Sequence, residues 1–195
     1  MNMTRQQLTL LGIFALFLGP LLLVLVMRSS WWGYQPEELR NLGQLVQPPV
    51  QLPLDSLPQE GKWLLLYVIP GNCDRKCTND IVSLRQIHKA AGRQGKYLSL
   101  VLLSENRADS ELQSRIESIY REFNFIADPP VETLATLARV NAGLTSGHEQ
   151  SNNIRTYVID PMLNVILAYR ADANPNDINK DLKRLLKWSR QNKVP

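Results

Sequence analysis

Residues 63–77 read WLLLYVIPGNCDRKC and combine an apolar run with a cysteine-containing loop. Its first half is a continuous apolar run of the kind typical of a β-strand that is covered on both faces. Its second half is a loop that starts with Pro70 and Gly71 and holds Cys73 and Cys77, the only two cysteines of the chain. The pattern predicts a buried strand that delivers both cysteines to the carboxyl end of a sheet.

Past the cysteine loop, helical and extended patterns alternate. Apolar residues recur at helical spacing in four segments: 79–92, 110–123, 131–140 and 180–193. Four short apolar runs predict strands: 97–103, 123–127, 155–159 and 165–169. The last two runs flank a turn in which Asn164 is expected to adopt a positive φ. The order of these elements predicts an α/β domain with a central mixed sheet and helices on both faces.

The amino-terminal part of the chain has a different composition. Residues 8–27 form an uncharged, apolar segment of 20 residues, which at about 1.5 Å per helical residue would span the roughly 30 Å hydrocarbon core of a bilayer. A cleaved signal peptide has a shorter apolar region of about 7 to 15 residues, so we expect an uncleaved transmembrane helix. We therefore predict a membrane anchor at residues 1–28, a tether with short extended pieces at 29–57 and a globular domain at 58–195.

The formal net charge of +4 is spread along the chain rather than concentrated in one region. Basic residues alternate with acidic ones, without an arginine-rich arm or a basic stripe interleaved with aromatic residues. The densest basic stretch, residues 180–193, is typical of the solvated face of an amphipathic helix. We expect no nucleic-acid partner.

Three residues separate Cys73 from Cys77. If both lie in the first turn of a helix, their Cα atoms are about 6 Å apart and both sulfurs point to one side. That spacing suits a disulfide and equally suits two thiolates on one soft metal ion. The helix N-terminus, together with Arg75 and Lys76, is expected to lower the thiol pKa, whereas Asp74 opposes this effect.

Other interpretations of the cysteines remain open at this stage. Free cysteine is often a small buried hydrophobe, so an inert pair or a structural staple is one alternative. A closed zinc site needs four ligands, and His88 and His148 are the only histidines, with His88 inside a helical pattern. Arg155 either approaches the cysteine loop and stabilises a thiolate or pairs with an acid or water at the end of the sheet. A polar loop at this edge favours an exposed, reactive pair.

The combination of these features resembles a known family. An apolar strand that runs into a C-x-x-x-C loop, a membrane anchor before it and a late Y-V-I-D-P turn at residues 157–161 resemble the Sco/SenC family over about residues 43–187. Members of that family are thioredoxin-fold, membrane-anchored copper chaperones and thiol reductants that serve cytochrome c oxidase assembly. The resemblance implies a thioredoxin-like domain, copper as Cu(I) or Cu(II), and a protein client in the assembly of a respiratory oxidase.

Carried over to this chain, the resemblance implies that Cys73 and Cys77 are the copper ligands and the redox-active, catalytic pair. It also implies a histidine ligand before the strand that contains Tyr157. The family's position corresponds to Asn152, and the histidine available nearby is His148. We therefore predict a metal site formed by Cys73, Cys77 and His148, a soft ligand set that suits Cu(I).

The predicted function is a membrane-anchored factor for cytochrome c oxidase assembly that handles copper or thiol–disulfide state through its cysteines. Such a factor is a chaperone or assembly factor, and at most a thiol–disulfide oxidoreductase. Two alternatives stay open: a copper-independent, membrane-tethered oxidoreductase and a non-catalytic interaction protein with the same fold. Disulfide chemistry fits an oxidising compartment, so we expect a single-pass protein of the inner membrane, held in the lipid bilayer by residues 8–27, with its domain in the periplasm.

Overall fold

The computed structural model describes residues 5–28, 41–53, 57, 61–104, 113–114, 116, 120, 123–145 and 153–191. The chain divides into two compact units, Met1–Arg40 and Asn41–Pro195. Helix α1 (Arg5–Arg28) belongs to the first unit, and a β-sheet with its flanking helices forms the second. Most of the helix predicted at residues 110–123 lies outside the described residues.

Helix α1 covers the apolar segment from which the sequence predicts a membrane anchor, and it continues through Pro20. Of the helices in the described ranges, none is both long enough and apolar enough to cross a membrane. The structure therefore confirms a helix at this position. It does not confirm the transmembrane span or the bilayer contact predicted for residues 8–27.

The second unit contains a six-stranded mixed sheet. In chain order, its strands are β1 (Gln44–Gln51), β2 (Trp63–Ile69), β3 (Leu98–Ser104), β4 (Phe123–Ile126), β5 (Ile154–Ile159) and β6 (Asn164–Arg170). The strands are arranged side by side as β1-β6-β5-β2-β3-β4; β2, β3 and β4 are parallel, and the other neighbouring pairs are antiparallel. The described helices of this unit are α2 (Arg75–Ala90), a 3₁₀ helix (Gly92–Tyr97), α3 (Val131–Thr145) and α4 (Pro175–Gln191).

Helices cover both faces of the sheet, as the sequence predicts. Apolar side chains of α2 and α4 form one core with the sheet, and those of α3 form the other. The side chains of β2 enter the two cores alternately: Leu65, Tyr67 and Ile69 on the α2 and α4 face, and Leu64, Leu66 and Val68 on the α3 face. Because successive residues of a strand point to opposite faces, a strand buried on both sides has the continuous apolar sequence seen here.

Strand β1 lies within the segment predicted as a tether with short extended pieces, and it pairs with β6 at the edge of the sheet. Its register against β6 shifts between Leu45 and Val50, where Pro48 and Pro49 occur. Proline donates no backbone hydrogen bond and is therefore confined to edge strands or bulges. The edge position of β1 accommodates both prolines.

A buried carboxylate fastens the residues before β1 to α4. Asp181 is 3% exposed, and its Oδ2 accepts hydrogen bonds from the backbone N–H groups of Leu42 at 2.6 Å and Gly43 at 2.9 Å. The Tyr169 hydroxyl of β6 donates to the same oxygen at 3.0 Å. A Cβ added to Gly43 would lie 2.5 Å from the Tyr169 ring, so only glycine fits at this position. Asp181 lies in the stretch 180–193, which the sequence predicts as a solvated helix face. The structure buries it because three donors converge on its Oδ2 and Arg184 pairs with its Oδ1 at 3.4 Å.

The turn between β5 and β6 corrects one expectation. Leu163, and not Asn164, has the positive φ, at 66°. The side chain of Asp160 accepts hydrogen bonds from the backbone N–H groups of Met162 and Asn164, both at 2.8 Å, and these bonds fix the turn. Leu163 is 3% exposed, so burial of its side chain offsets a backbone strain of about 1–2 kcal/mol.

Candidate functional site

The loop after β2 carries both cysteines to the carboxyl end of the sheet. Asp74 caps α2, because its Oδ1 accepts a hydrogen bond from the backbone N–H of Cys77 at 2.9 Å. Cys73 therefore lies before the helix and Cys77 in its first turn, which corrects the expectation that both occupy that turn. Their Cα atoms are 5.2 Å apart and their sulfurs form a disulfide.

The two cysteines differ in accessibility. Cys77 is 2% exposed and belongs to the core beneath α2, whereas Cys73 is only partly buried and packs against the edge of that core. An incoming thiol or metal ion therefore approaches the pair from the side of Cys73. The expectation of an exposed pair is wrong for Cys77 and is met only in part by Cys73, which is half-buried.

A buried tyrosine lies beneath the first turns of α2. The Tyr67 hydroxyl donates a hydrogen bond to Asp80 Oδ2 at 3.1 Å, and Lys76 Nζ donates to the same oxygen at 3.2 Å. Burial, then the charge of Asp80 and the hydrogen bond to it, raises the pKa of Tyr67 far above its ordinary value. Tyr67 therefore stays protonated at physiological pH, and its hydroxyl donates a hydrogen bond to the Asp80 carboxylate.

The loop between β6 and α4 borders the cysteine turn. Lys76 donates a hydrogen bond to the backbone carbonyl of Ala171 in this loop. Arg170 pairs with Asp172 at 3.0 Å. The hydrogen bond from Arg170, together with the charges of Arg170 and Lys76, holds the pKa of Asp172 below its ordinary value. The amino end of α2 and this loop are therefore joined by Lys76 and share one charged surface.

Arg155 lies at the start of β5, beside Thr156, which pairs with Tyr67 of β2. Its Nε donates a hydrogen bond to Asn153 Oδ1 at 3.4 Å, and within the described ranges no carboxylate pairs with it. Its guanidinium is close enough to lower the pKa of Tyr67 against the larger effect of burial. The contact with Asn153 and the effect on Tyr67 place Arg155 at this edge of the sheet, and its approach to the cysteine turn stays a prediction.

The histidines do not join the cysteines in the described part of the chain. The predicted ligand His148 lies outside the described residues. His88 is in the last turn of α2, about 16 Å further along the helix than Cys77, with its imidazole beside Gly95. Over the described ranges, no group of three or more His, Cys, Asp and Glu side chains could hold a metal ion. The donors that the structure does bring together are two sulfurs, which suit Cu(I) once the disulfide is reduced.

Two features of the site were missed at the sequence level. Asp74 has a recognisable signal, because aspartate directly before a helix is among the best N-cap residues. The hydrogen bond between Tyr67 and Asp80 has no sequence signal. Its partners lie on different elements and face each other only after α2 packs on the sheet.

A mixed sheet with helices on both faces, and a disulfide at the start of the helix that follows a central strand, defines a thioredoxin-like domain. A family model described as a transmembrane-like, thioredoxin-like, C-terminal domain matches residues 63–189. The chain belongs to this family. No curated protein matches the chain.

Several solved structures of the Sco/SenC family are similar to this chain. The apo Sco1 protein of Thermus thermophilus is 14% identical, with a TM-score of 0.52 over 73% of this chain and 95% of its own. Copper-bound ScoI of Arabidopsis thaliana is 14% identical, with a TM-score of 0.50 over 67% and 87%. A SCO1/SenC family lipoprotein of Bacillus anthracis is 18% identical, with a TM-score of 0.50 over 72% and 98%. These matches confirm the resemblance to the Sco/SenC family, and at such identities they establish the fold alone.

Proposed function

We propose that this protein is a membrane-anchored, thioredoxin-like factor that changes the thiol–disulfide state of a protein client in cytochrome c oxidase assembly. One observation carries the proposal: Cys73 and Cys77 form a disulfide in which the first sulfur is reachable and the second is buried. A reachable sulfur can form a mixed disulfide with a client, while the buried partner acts as the leaving group or resolves that intermediate.

The exchange transfers two electrons. A client thiolate attacks the sulfur of Cys73, the bond between the two cysteines breaks, and Cys77 leaves as a thiolate that takes up a proton. A second client thiolate then attacks the client sulfur of the mixed disulfide, and Cys73 leaves as a thiolate. The client is thereby oxidised to a disulfide and the cysteine pair is reduced to a dithiol. The reverse sequence reduces a client disulfide.

Copper handling is a second candidate, favoured by the copper-bound Arabidopsis ScoI, which shares the fold. Copper would be cargo, held by the thiolates of reduced Cys73 and Cys77 with His148 as the proposed third ligand. Two or three ligands leave a coordination position through which a client could take the ion by ligand exchange. The disulfide form has no thiolate to offer, so reduction must precede copper binding.

We further propose that residues 1–28 anchor the protein in the inner membrane through a single span at 8–27, with the domain at 58–195 in the periplasm. The uncharged apolar sequence of 20 residues supports the anchor. A disulfide fits an oxidising compartment. The tether proposed at 29–57 contains β1, which pairs with β6 in the sheet. The residues before Gln44 therefore form the connecting part of the tether.

The experiment that tests the proposal separates thiol exchange from copper binding. The full chain, purified in a nonionic detergent and reduced, is titrated with Cu(I) against a competing chelator and assayed in parallel for reduction of a protein disulfide. Cys73→Ser and Cys77→Ser should each abolish disulfide reduction, and His148→Ala should weaken Cu(I) binding only. His88→Ala is the matched control, because it removes the other histidine without altering the cysteine turn.

Each outcome selects one function. Disulfide reduction without tight Cu(I) binding supports the thiol–disulfide role. Tight, cysteine-dependent Cu(I) binding without disulfide reduction supports copper handling. If neither occurs, and a chain with both cysteines replaced by serine still sustains oxidase assembly in cells, both candidates are contradicted in favour of a non-catalytic interaction protein.

A further inference from the structure

We infer that the surface around the disulfide selects clients whose reacting sulfur lies next to carboxylates. This selectivity rests on the proposed thiol–disulfide function and specifies the charge of the client. It arises from two cations, Arg75 in the cysteine turn and Arg155 at the same edge of the sheet, neither of which has an acidic partner in the described part of the chain.

The two arginines approach the turn from different elements. Arg75 is the first residue of α2 and is exposed, two positions after Cys73. Arg155 directly precedes the part of β5 that pairs with β2, since the next residue, Thr156, lies opposite Tyr67. The carboxyl end of β2 and the amino end of β5 meet at one edge of the sheet because these strands are antiparallel. Both cations therefore lie at the edge from which a client reaches Cys73.

Other charges that the structure describes at this edge are paired with each other. Lys76 pairs with Asp80 at 3.2 Å, and the Tyr67 hydroxyl also donates to that carboxylate. Arg170 pairs with Asp172 at 3.0 Å. At the distances relevant to an approaching client, each ion pair acts as a dipole whose field falls off faster than that of a single charge. These pairs therefore leave little net charge.

Within the described ranges, Asp74 is the unpaired acidic residue at the cysteine turn, and it opposes the two arginines. Its Oδ1 accepts the hydrogen bond from the backbone N–H of Cys77, so the carboxylate lies at the positive end of the α2 dipole. That end of a helix carries the equivalent of about half a positive charge, which offsets part of the charge of Asp74. Among the residues that the structure describes, two cations against one partly offset carboxylate leave the approach to Cys73 positive.

The test compares two peptide substrates of opposite charge on the reduced full chain in a nonionic detergent. Each peptide holds one cysteine as a mixed disulfide with 2-thiopyridine, flanked by four aspartates in one peptide and four lysines in the other. The Cys73 thiolate attacks the peptide sulfur, the bond to thiopyridine breaks, and the released thiopyridone is followed by absorbance. A neutral substrate, the mixed disulfide of 2-hydroxyethanethiol with 2-thiopyridine, measures the intrinsic reactivity of the Cys73 thiolate.

At low salt the aspartate peptide should react about 10-fold faster than the lysine peptide, and the ratio should shrink as salt is added. Arg75→Gln and Arg155→Gln should each reduce the ratio about 3-fold, because a unit charge about 13 Å from a client charge in water speeds one peptide and slows the other by about 1.7-fold each. The reactivity of the thiol itself cancels in this ratio. The rate with the neutral disulfide shows separately whether a substitution changes that reactivity. Lys89→Gln, which removes an exposed cation in the last turn of α2, is the matched control and should leave the ratio unchanged.

Equal rates with the two peptides, or a ratio that survives the Arg75→Gln and Arg155→Gln double substitution, would overturn the selectivity while leaving the thiol–disulfide function in place. Failure of the neutral disulfide to react would refute the proposed thiol–disulfide function and, with it, this selectivity. The two failures are therefore distinguishable in one set of measurements.

Discussion

Asp74 Oδ1 lies 2.9 Å from the backbone nitrogen of Cys77 and accepts its hydrogen bond. A residue between the two cysteines thus caps the helix in which the buried cysteine lies. The same hydrogen bond starts α2 and holds the backbone of the disulfide turn, so the local stability of the helix and the geometry of the redox pair depend on one carboxylate.

Replacement of this cap should destabilise the protein to an extent that depends on the new side chain. Asp74→Ala removes the acceptor and is expected to lower the free energy of unfolding by about 1 kcal/mol, whereas Asp74→Asn keeps an amide oxygen in place and should cost less. Urea unfolding of the oxidised protein measures both values. Equal losses for alanine and asparagine would show that the hydrogen bond does not stabilise the helix.

The buried carboxylate of Asp181 should contribute far more than an exposed one. Asp181→Ala leaves two backbone N–H groups and the Tyr169 hydroxyl without their acceptor, so we expect a loss of about 3 kcal/mol or more in the free energy of unfolding. Asp177→Ala is the control on the same helix, because it removes an ion pair with Lys180 and an acidic charge in the first turn, and it should cost about 1 kcal/mol or less. Similar urea midpoints for the two variants would show that the hydrogen bonds from Leu42 and Gly43 to Asp181 do not stabilise the protein.

Glycine at position 43 should be required by the ring of Tyr169. Gly43→Ala places a Cβ 2.5 Å from that ring, which is 3% exposed and held by Asp181, so we expect a loss of about 1–3 kcal/mol. Gly71→Ala is the matched control, since a Cβ there would meet nothing within 4 Å. Thermal unfolding of the two variants makes the comparison, and an unchanged Tm for Gly43→Ala would contradict the close approach.

Stability should decline at alkaline pH because of two buried tyrosines. Burial, then the charges of Asp80 and Asp181 respectively, raises the pKa of Tyr67 and Tyr169 far above their ordinary value in the folded protein. In the unfolded chain both ionise near pH 10, so above that pH the folded state binds more protons and the free energy of unfolding falls as pH rises. Below pH 10 this contribution is fully present.

The alkaline decline is measured by urea unfolding at pH values between about 9 and 11. Each tyrosine contributes up to about 1.4 kcal/mol per pH unit above pH 10. Tyr67→Phe and Tyr169→Phe should therefore each flatten the decline, even though each removes a hydrogen bond and lowers stability at neutral pH. Variants whose stability falls in parallel with that of the parent protein would contradict the assignment.

The sequence predicts the elements whose signals are local. The continuous apolar run of β2, the helical spacing of α2 and the hairpin of β5 and β6 all depend on residues close together in the chain, and the structure contains each of them. Their alternation was sufficient to predict the mixed sheet and its two helical layers.

Features that depend on distant residues could not be predicted in this way. The bond from Leu42 to Asp181 spans 139 residues, and Pro48 and Pro49 obscure the strand pattern of β1. Within the site, the spacing of the cysteines predicted their proximity, but the burial of Cys77 depends on how α2 packs against the sheet. The proposed ligand His148 lies outside the described residues and stays a prediction.

The most direct test of the central claim is the rate at which each cysteine of the reduced full chain is alkylated. Short pulses of iodoacetamide, followed by peptide mass spectrometry, give separate rates for Cys73 and Cys77. Because Cys77 is 2% exposed and Cys73 only partly buried, we expect Cys73 to react at least about 10-fold faster in the folded protein, and the two rates to converge in denaturant. Equal rates in the folded protein, or faster alkylation of Cys77, would contradict a redox pair that is approached through Cys73.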